Sequence, residues 1–162
     1  MKASLTLVAL TLAGILTAHA DQVIEYPAKD PIFSIAFPDS WKVETGDSVS
    51  ASSKDDLVNM ELIALEADAL DGAIDAAKES LEEEFKGIKF SAPEKGELNG
   101  MNAVFLNANA TLEDVKMAVN CCIFAPKGAD TFFMLFNVIP VEVLKDHAAD
   151  IEKVLNSVKP EK

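Results

Sequence analysis

The chain has 162 residues, with 27 aspartates and glutamates against 14 lysines, no arginine, and a formal net charge of −13. So acidic a surface, lacking the guanidinium fork that reads phosphate and carboxylate, argues against nucleic acid, phosphorylated ligands and anionic membranes as partners. The length suits a single domain that buries about two-thirds of its unfolded surface.

The first twenty residues read MKASLTLVALTLAGILTAHA. Lys2 gives a positive end, residues 5–16 form an apolar block, and Ala18-His19-Ala20 is a small-x-small site. The expectation is a secretory signal peptide on residues 1–20, cleaved between Ala20 and Asp21. The block is too short to span a bilayer, which needs about 20 apolar residues. No cysteine follows it to carry a lipid. Removing it takes one lysine and no acid, so the mature charge is expected to be −14. The mature chain is expected in the periplasm or outside the cell, with no membrane insertion after cleavage.

Residues 21–31 carry two prolines and several charges and read as an extended leader. Residues 32–37 alternate Phe33, Ile35 and Phe37 against Ser34 and Ala36, a half-buried strand. Pro38-Asp39-Ser40 turns the chain, and 41–44 begins a second strand. A polar stretch, 45–56, predicts a loop with a short strand at its middle. Residues 57–66 return to strand pattern, with Val58, Met60, Leu62 and Ala64 on one face. From 68 to 86, Leu70, Ile74, Ala77, Leu81 and Phe85 recur at steps of four and three, an amphipathic helix. Asp68 or Asp71 is expected to cap it, and Lys86-Gly87 to end it. Residues 88–90 and 94–98 suggest short edge strands, with Asn99-Gly100 turning the chain into a central hairpin.

Residues 101–139 form the most apolar stretch, broken only at Glu113-Asp114 and at 126–130. Three antiparallel strands are expected: 101–112, 115–125 and 131–139. Because side chains alternate across a strand, a turn at Glu113-Asp114 sets Leu106 opposite Cys121 and Ala108 opposite Val119. One face then reads Val104, Leu106, Ala108, Ala110 and Leu112 beside Val115, Met117, Val119, Cys121 and Ile123. The other is mixed: Phe105, Asn107, Asn109 and Thr111 beside Lys116, Ala118, Asn120, Cys122 and Phe124. The third strand reads as apolar on both faces, which requires cover above and below the sheet. Pro140 suits a helix start, and 143–158 gives a second helix with Leu144, Ala148, Ile151, Leu155 and Val158 as its stripe, stopped by Pro160. Residues 32–159 thus predict one α+β domain, an antiparallel sheet sandwiched between helices.

Cys121 and Cys122 are adjacent, so in a strand they face opposite ways, with Cα atoms about 3.8 Å apart, shorter than the usual disulfide span. Buried free thiols are the expectation; a vicinal or an intermolecular bond is the alternative in an oxidising compartment. His147, beside Asp146 and Asp150, is the one histidine of the mature chain. It predicts a solvated helix face rather than a metal site, since structural zinc wants four thiol or imidazole ligands. No nucleophile elbow and no phosphate-cradling glycine loop occurs, and no catalytic residue or cofactor is assigned. Glu66, Asp68 and Asp71-Gly72 depart from calcium-loop spacing. Glu79, Glu82, Glu83 and Glu84 predict a hydrated helix surface, with docking of a basic partner as the alternative. Trp41 reads as a core plug. Asn107, Asn109 and Asn120 share one face of the central strands. Inside a sandwich such amides need hydrogen bonds or water, so either that end of the sheet is open or a polar cleft lies beneath one helix.

Phe33-Ser34-Ile35-Ala36-Phe37-Pro38-Asp39-Ser40-Trp41 matches the F-x-I-x-F-P-x-x-W opening of the PsbP-like superfamily, and the close, a hydrophobic hairpin then a helix ending Leu155-Asn156-Ser157-Val158-Lys159, also resembles that group. The superfamily includes photosystem II PsbP subunits, a yeast Ran-binding import factor and the periplasmic DcrB proteins, the last being the nearest analogue. The resemblance implies a sheet between helices used as a binding or assembly module, not as an enzyme, and it transfers no functional residue. The expected function is therefore a non-enzymatic envelope module acting through a protein partner. The alternative is a small-ligand binder using the asparagine face.

Overall fold

A computed structural model describes residues 21–161. The expected signal peptide, including Ala20, lies outside the described residues. Asp21 is described, its carboxylate 2.7 Å from Lys153 Nζ.

The chain runs β1 (Gln22–Tyr26), β2 (Phe33–Phe37), β3 (Lys42–Thr45), β4 (Val49–Ser52), β5 (Asn59–Leu65), α1 (Leu70–Glu84), β6 (Lys89–Phe90), β7 (Glu94–Leu98), β8 (Met101–Leu112), β9 (Val115–Phe124), β10 (Phe132–Pro140), α2 (Leu144–Ser157) and β11 (Lys159–Pro160). The large antiparallel sheet has the order β3-β4-β5-β10-β9-β8-β6, with β7 also on the outer side of β8. A second sheet, β1-β2-β11, stands apart from it.

The central register is the one that parity demands. Leu106 faces Cys121 and Ala108 faces Val119, around a turn whose Glu113 and Asp114 both hold positive φ (48° and 68°). Two left-handed residues give the type I′ turn whose twist matches that of the strands it joins. Asn99 and Gly100 (φ 49° and 81°) do the same between β7 and β8. Alternation then divides the core. Val104, Leu106, Val119, Cys121, Ile123, Met134 and Phe136 pack against Ala73, Ile74, Ala77 and Leu81 of α1. The opposite face, with Met60, Leu62, Cys122, Phe124, Phe133 and Leu135, packs against Phe33, Ile35 and Phe37 of β2 and Val154 of α2. The fold is α+β, with a large antiparallel sheet covered by α1 on one side and by α2 plus the small sheet on the other.

Several local expectations change. Residues 22–26, expected as leader, are an extended strand hydrogen-bonded along β2. Gln22 Nε2 donates to the carbonyls of Pro38 (3.1 Å) and Trp41 (2.8 Å), so this strand also holds the turn after β2. Neither Asp68 nor Asp71 caps α1: the N-cap is Ala69, with no side-chain hydrogen bond, and Asp71 lies in the first turn, where its charge suits the dipole. Within α2 the buried residue is Val154, which the expected stripe did not include; of the stripe, Val158 at the C-cap is buried, Ile151 and Leu155 are half-buried and Ala148 is exposed. The third strand is not apolar on both faces, because Asn137 sits in it, opposite Asn120 and only 4% exposed. Trp41 is buried as expected, its ring 6.4 Å from that of Phe37.

Candidate functional site

The pairing of β8, β9, β10 and β5 sets Asn107, Asn120, Asn137 and Met60 side by side in one transverse row. The row lies on the α2 face, one rung beyond the row of Phe105, Cys122, Leu135 and Leu62. The core therefore changes from apolar to amide over a single two-residue step along three neighbouring strands. Asn120 Nδ2 donates to Asn137 Oδ1 at 3.0 Å. Above the row is a cleft of about 320 Å³, roofed by Ile151 and Leu155 of α2, walled by Phe105 and Leu135, and rimmed by Glu94. Asn137 is buried, Asn120 half-buried, and Asn107 exposed at the outer end.

Of the three asparagines expected on this face, Asn107 and Asn120 line the cleft. Asn109 does not: it pairs with Ala118 and Lys89 further along the strand and is exposed. Asn137 is the member that sequence reasoning missed. Its signal was available, since Phe133 and Leu135 share its parity, but a strand so apolar in content hides one amide.

Cys121 and Cys122 are both buried and carry free thiols. Cys121 belongs to the α1 side and Cys122 to the α2 side. Burial pushes both thiols up, that of Cys122 to about 12. A protonated thiol is a poor nucleophile and metal ligand, so the pair has the character of packing residues.

A second hollow, of about 350 Å³, lies between α2 and the β4–β5 loop, lined by Trp41, Ser53, Asp55, His147 and Asp150. His147 Nε2 is 3.3 Å from Asp55 Oδ2. Ser53 Oγ donates to Asp55 Oδ1 at 2.6 Å and accepts the amide of Val58 at 2.9 Å. The Asp55 carboxyl is held below its ordinary value, first by the Ser53 hydroxyl, then by the Leu57 amide and the nearby His147. The order is hydroxyl, carboxylate, imidazole. A base-activated nucleophile needs the imidazole beside the hydroxyl. Here the chain of contacts pins a loop to α2. His147 thus pairs across the fold, and no cluster of three ligating side chains suited to a metal occurs among the described residues.

On the α1 face a groove opens beside the C-terminal end of the helix. Glu44, Ser50, Glu61 and Phe136 form a transverse row there. They line the groove, about 340 Å³, with Phe85, Met117 and Val138 as floor and Glu84 at the helix end. Partial burial, and then the carboxylate of Glu61, push the Glu84 carboxyl up. The groove reaches Leu112 at the hairpin tip, where it pairs with Val115; the two are 51% and 46% exposed, the second and third most exposed large apolar side chains described.

No family model matches the chain. Nor does any curated protein match it. Solved structures do. A cyanobacterial PsbP (CyanoP) from Synechocystis sp. PCC 6803 superposes with a TM-score of 0.63 at 12% identity, over 91% of this chain and 96% of that one. LpqN, described as involved in cell envelope biogenesis of Mycobacterium tuberculosis, gives 0.60 at 13%, over 88% and 92%. The Ran-binding protein Mog1p of Saccharomyces cerevisiae gives 0.59 at 8%, over 88% and 96%. The chain spans 45% of a Bacteroides thetaiotaomicron VPI-5482 structure, with a TM-score of 0.55 at 18% identity. What these structures share with the chain is the fold, and it is the fold that the 33–41 opening led us to expect.

Proposed function

We propose that the chain is a secreted or periplasmic, non-enzymatic binding module of the PsbP-like type, a DcrB-like envelope protein acting through a protein partner. The observation that carries this is the uncovered end of the α1 face. Leu112 and Val115 continue the apolar floor of Met117 and Val138 into solvent, while Glu44, Glu61 and Glu84 ring it and Lys42 is tied to Glu44 at 2.7 Å. A floor of this kind takes an apolar side chain, and the acidic ring selects one flanked by lysine or arginine. The partner is therefore an envelope protein with a basic, apolar-centred face. The fold is shared with proteins described as Ran-binding and as involved in envelope biogenesis, which supports a binding role.

The test is crosslinking and affinity capture from the native compartment, with the wild-type chain beside Leu112→Asp/Val115→Asp and Glu61→Lys/Glu84→Lys. A partner kept by the wild type and reduced at least tenfold by both variants, with unchanged far-UV circular dichroism, supports the proposal. Equal capture by all three chains rejects it.

A second reading, a small-ligand binder, is favoured by one observation. The row of amides opens onto a roofed cleft rather than onto bulk water. A thermal-shift screen with metabolites separates the two: a flat response argues against the second reading and leaves the first intact.

A further inference from the structure

We propose that the cleft beneath α2 binds a small neutral molecule bearing an amide edge, an N–H beside a C=O, on an apolar body. This rests on the small-ligand reading and specifies its ligand. The bond from Asn120 Nδ2 to Asn137 Oδ1 uses one donor and one acceptor. It leaves Asn120 Oδ1 and Asn137 Nδ2 as a neighbouring acceptor and donor on the cleft floor. Turning both amides over exchanges the two roles and leaves the same pair. A molecule with an N–H beside a C=O meets both at once; a ketone, an ether or a tertiary amide meets one.

Burial makes this pairing matter. Asn137 is 4% exposed, one rung from Leu135, so an aliphatic side chain of similar size would suit the packing. The Oδ1 of Asn137 is satisfied by Asn120, and a group in the cleft that accepts from its Nδ2 completes the pairing.

Charge and shape narrow the class further. The floor has no ionised group, and the charged lining residue, Glu94, together with a net charge of −13, opposes anions. Phe105, Leu135, Ile151 and Leu155 flank the amides and favour an apolar body. The cleft, about 320 Å³, holds roughly ten waters at ~30 Å³ each, enough for one ring with its polar edge.

The experiment titrates the ¹⁵N-labelled chain from Asp21 onward with three probes: ε-caprolactam, N-methylcaprolactam and cyclohexanone. The readout is the side-chain amide signals of Asn107, Asn120 and Asn137. Caprolactam is expected to shift all three saturably, with N-methylcaprolactam and cyclohexanone at least tenfold weaker. Asn137→Leu should weaken caprolactam at least tenfold. Asn107→Ala, at the exposed end of the row, should weaken it two- to fivefold with the fold intact. Equal binding of all three probes in the cleft would overturn the amide-edge assignment while keeping the small-ligand reading. No saturable shift with any probe up to its solubility would overturn both.

Discussion

Ser157 closes a gap in the small sheet, and its removal gives a sharp test of how α2 is attached. β11 pairs Lys159 with Ser34 and Pro160 with Phe33. The same register carried back two residues would set residue 157 opposite Ala36, but there the chain is already helical and cannot extend the ladder. The side chain does so instead: the Ala36 amide donates to Ser157 Oγ at 2.8 Å, and the hydroxyl reaches the carbonyls of Val154 (2.6 Å) and Ala36 (3.1 Å). Ser157→Ala removes this bridge and leaves the Ala36 N–H without a partner, costing about 1–3 kcal/mol. Alanine's better helix propensity returns less than about 0.5 kcal/mol. The net loss should be about 0.5–3 kcal/mol, a fall in Tm of about 1–12 °C for a chain of this size. Urea unfolding gives the first number, and hydrogen exchange at the Ala36 amide locates it. A loss under about 0.3 kcal/mol with Ala36 protection unchanged would refute the ladder role.

Phe33 is fully buried, its ring 5.3 Å from that of Phe124 and 4.9 Å from that of Phe133, so Phe33→Ala should cost about 3–5 kcal/mol in urea unfolding. A loss below about 1 kcal/mol would show that β2 does not anchor the small sheet to the large one. Asp55, held below its ordinary value by Ser53, stabilises the fold at neutral pH, and that contribution is lost as pH falls through its lowered folded value. The stability difference between wild type and Asp55→Ala should therefore shrink between pH 7 and pH 2; a constant difference would contradict the linkage. Cys121 and Cys122, buried with raised thiols, should resist iodoacetamide at pH 8 in the native chain and react fully in urea. Rapid native labelling would show that α1 or α2 leaves the sheet readily.

How far the sequence could be read depended on whether a feature was local. The central register followed from a two-residue turn and a period of two, both contained within residues 101–124. The same counting reaches Asn137 once Phe133 is set opposite Phe124, yet that pairing crosses a turn at 126–130 that composition does not measure in register. Strand β1 was harder still: Gln22, Glu25 and Tyr26 have no alternation strong enough to mark a strand, and their order comes from β2 and from Gln22 holding the Pro38–Trp41 turn. For α2 the apolar stripe was visible and its last member, Val158, is buried, but Val154, outside the stripe, is buried as well, because which helix face meets β2 is a tertiary choice.

That choice of face also accounts for the cleft. α2 is fastened at its two ends, and between them it packs unevenly on the core. At the C-terminal end Ser157 bonds Ala36, and Asn99 Nδ2 reaches the carbonyl of Asn156 at 2.9 Å. Near the N-terminal end His147 meets Asp55. Between these fastenings only Val154 is fully buried, while Ile151 and Leu155 stand half-buried over the amide row. A helix with a full apolar stripe would settle onto the sheet and close the space, leaving the second edge of each amide, Asn120 and Asn137, without a partner. The exposed Ala148 and the buried Asn137 are thus two sides of one arrangement: the helix gives up contact where the sheet gives up apolarity, and the cleft lies between them.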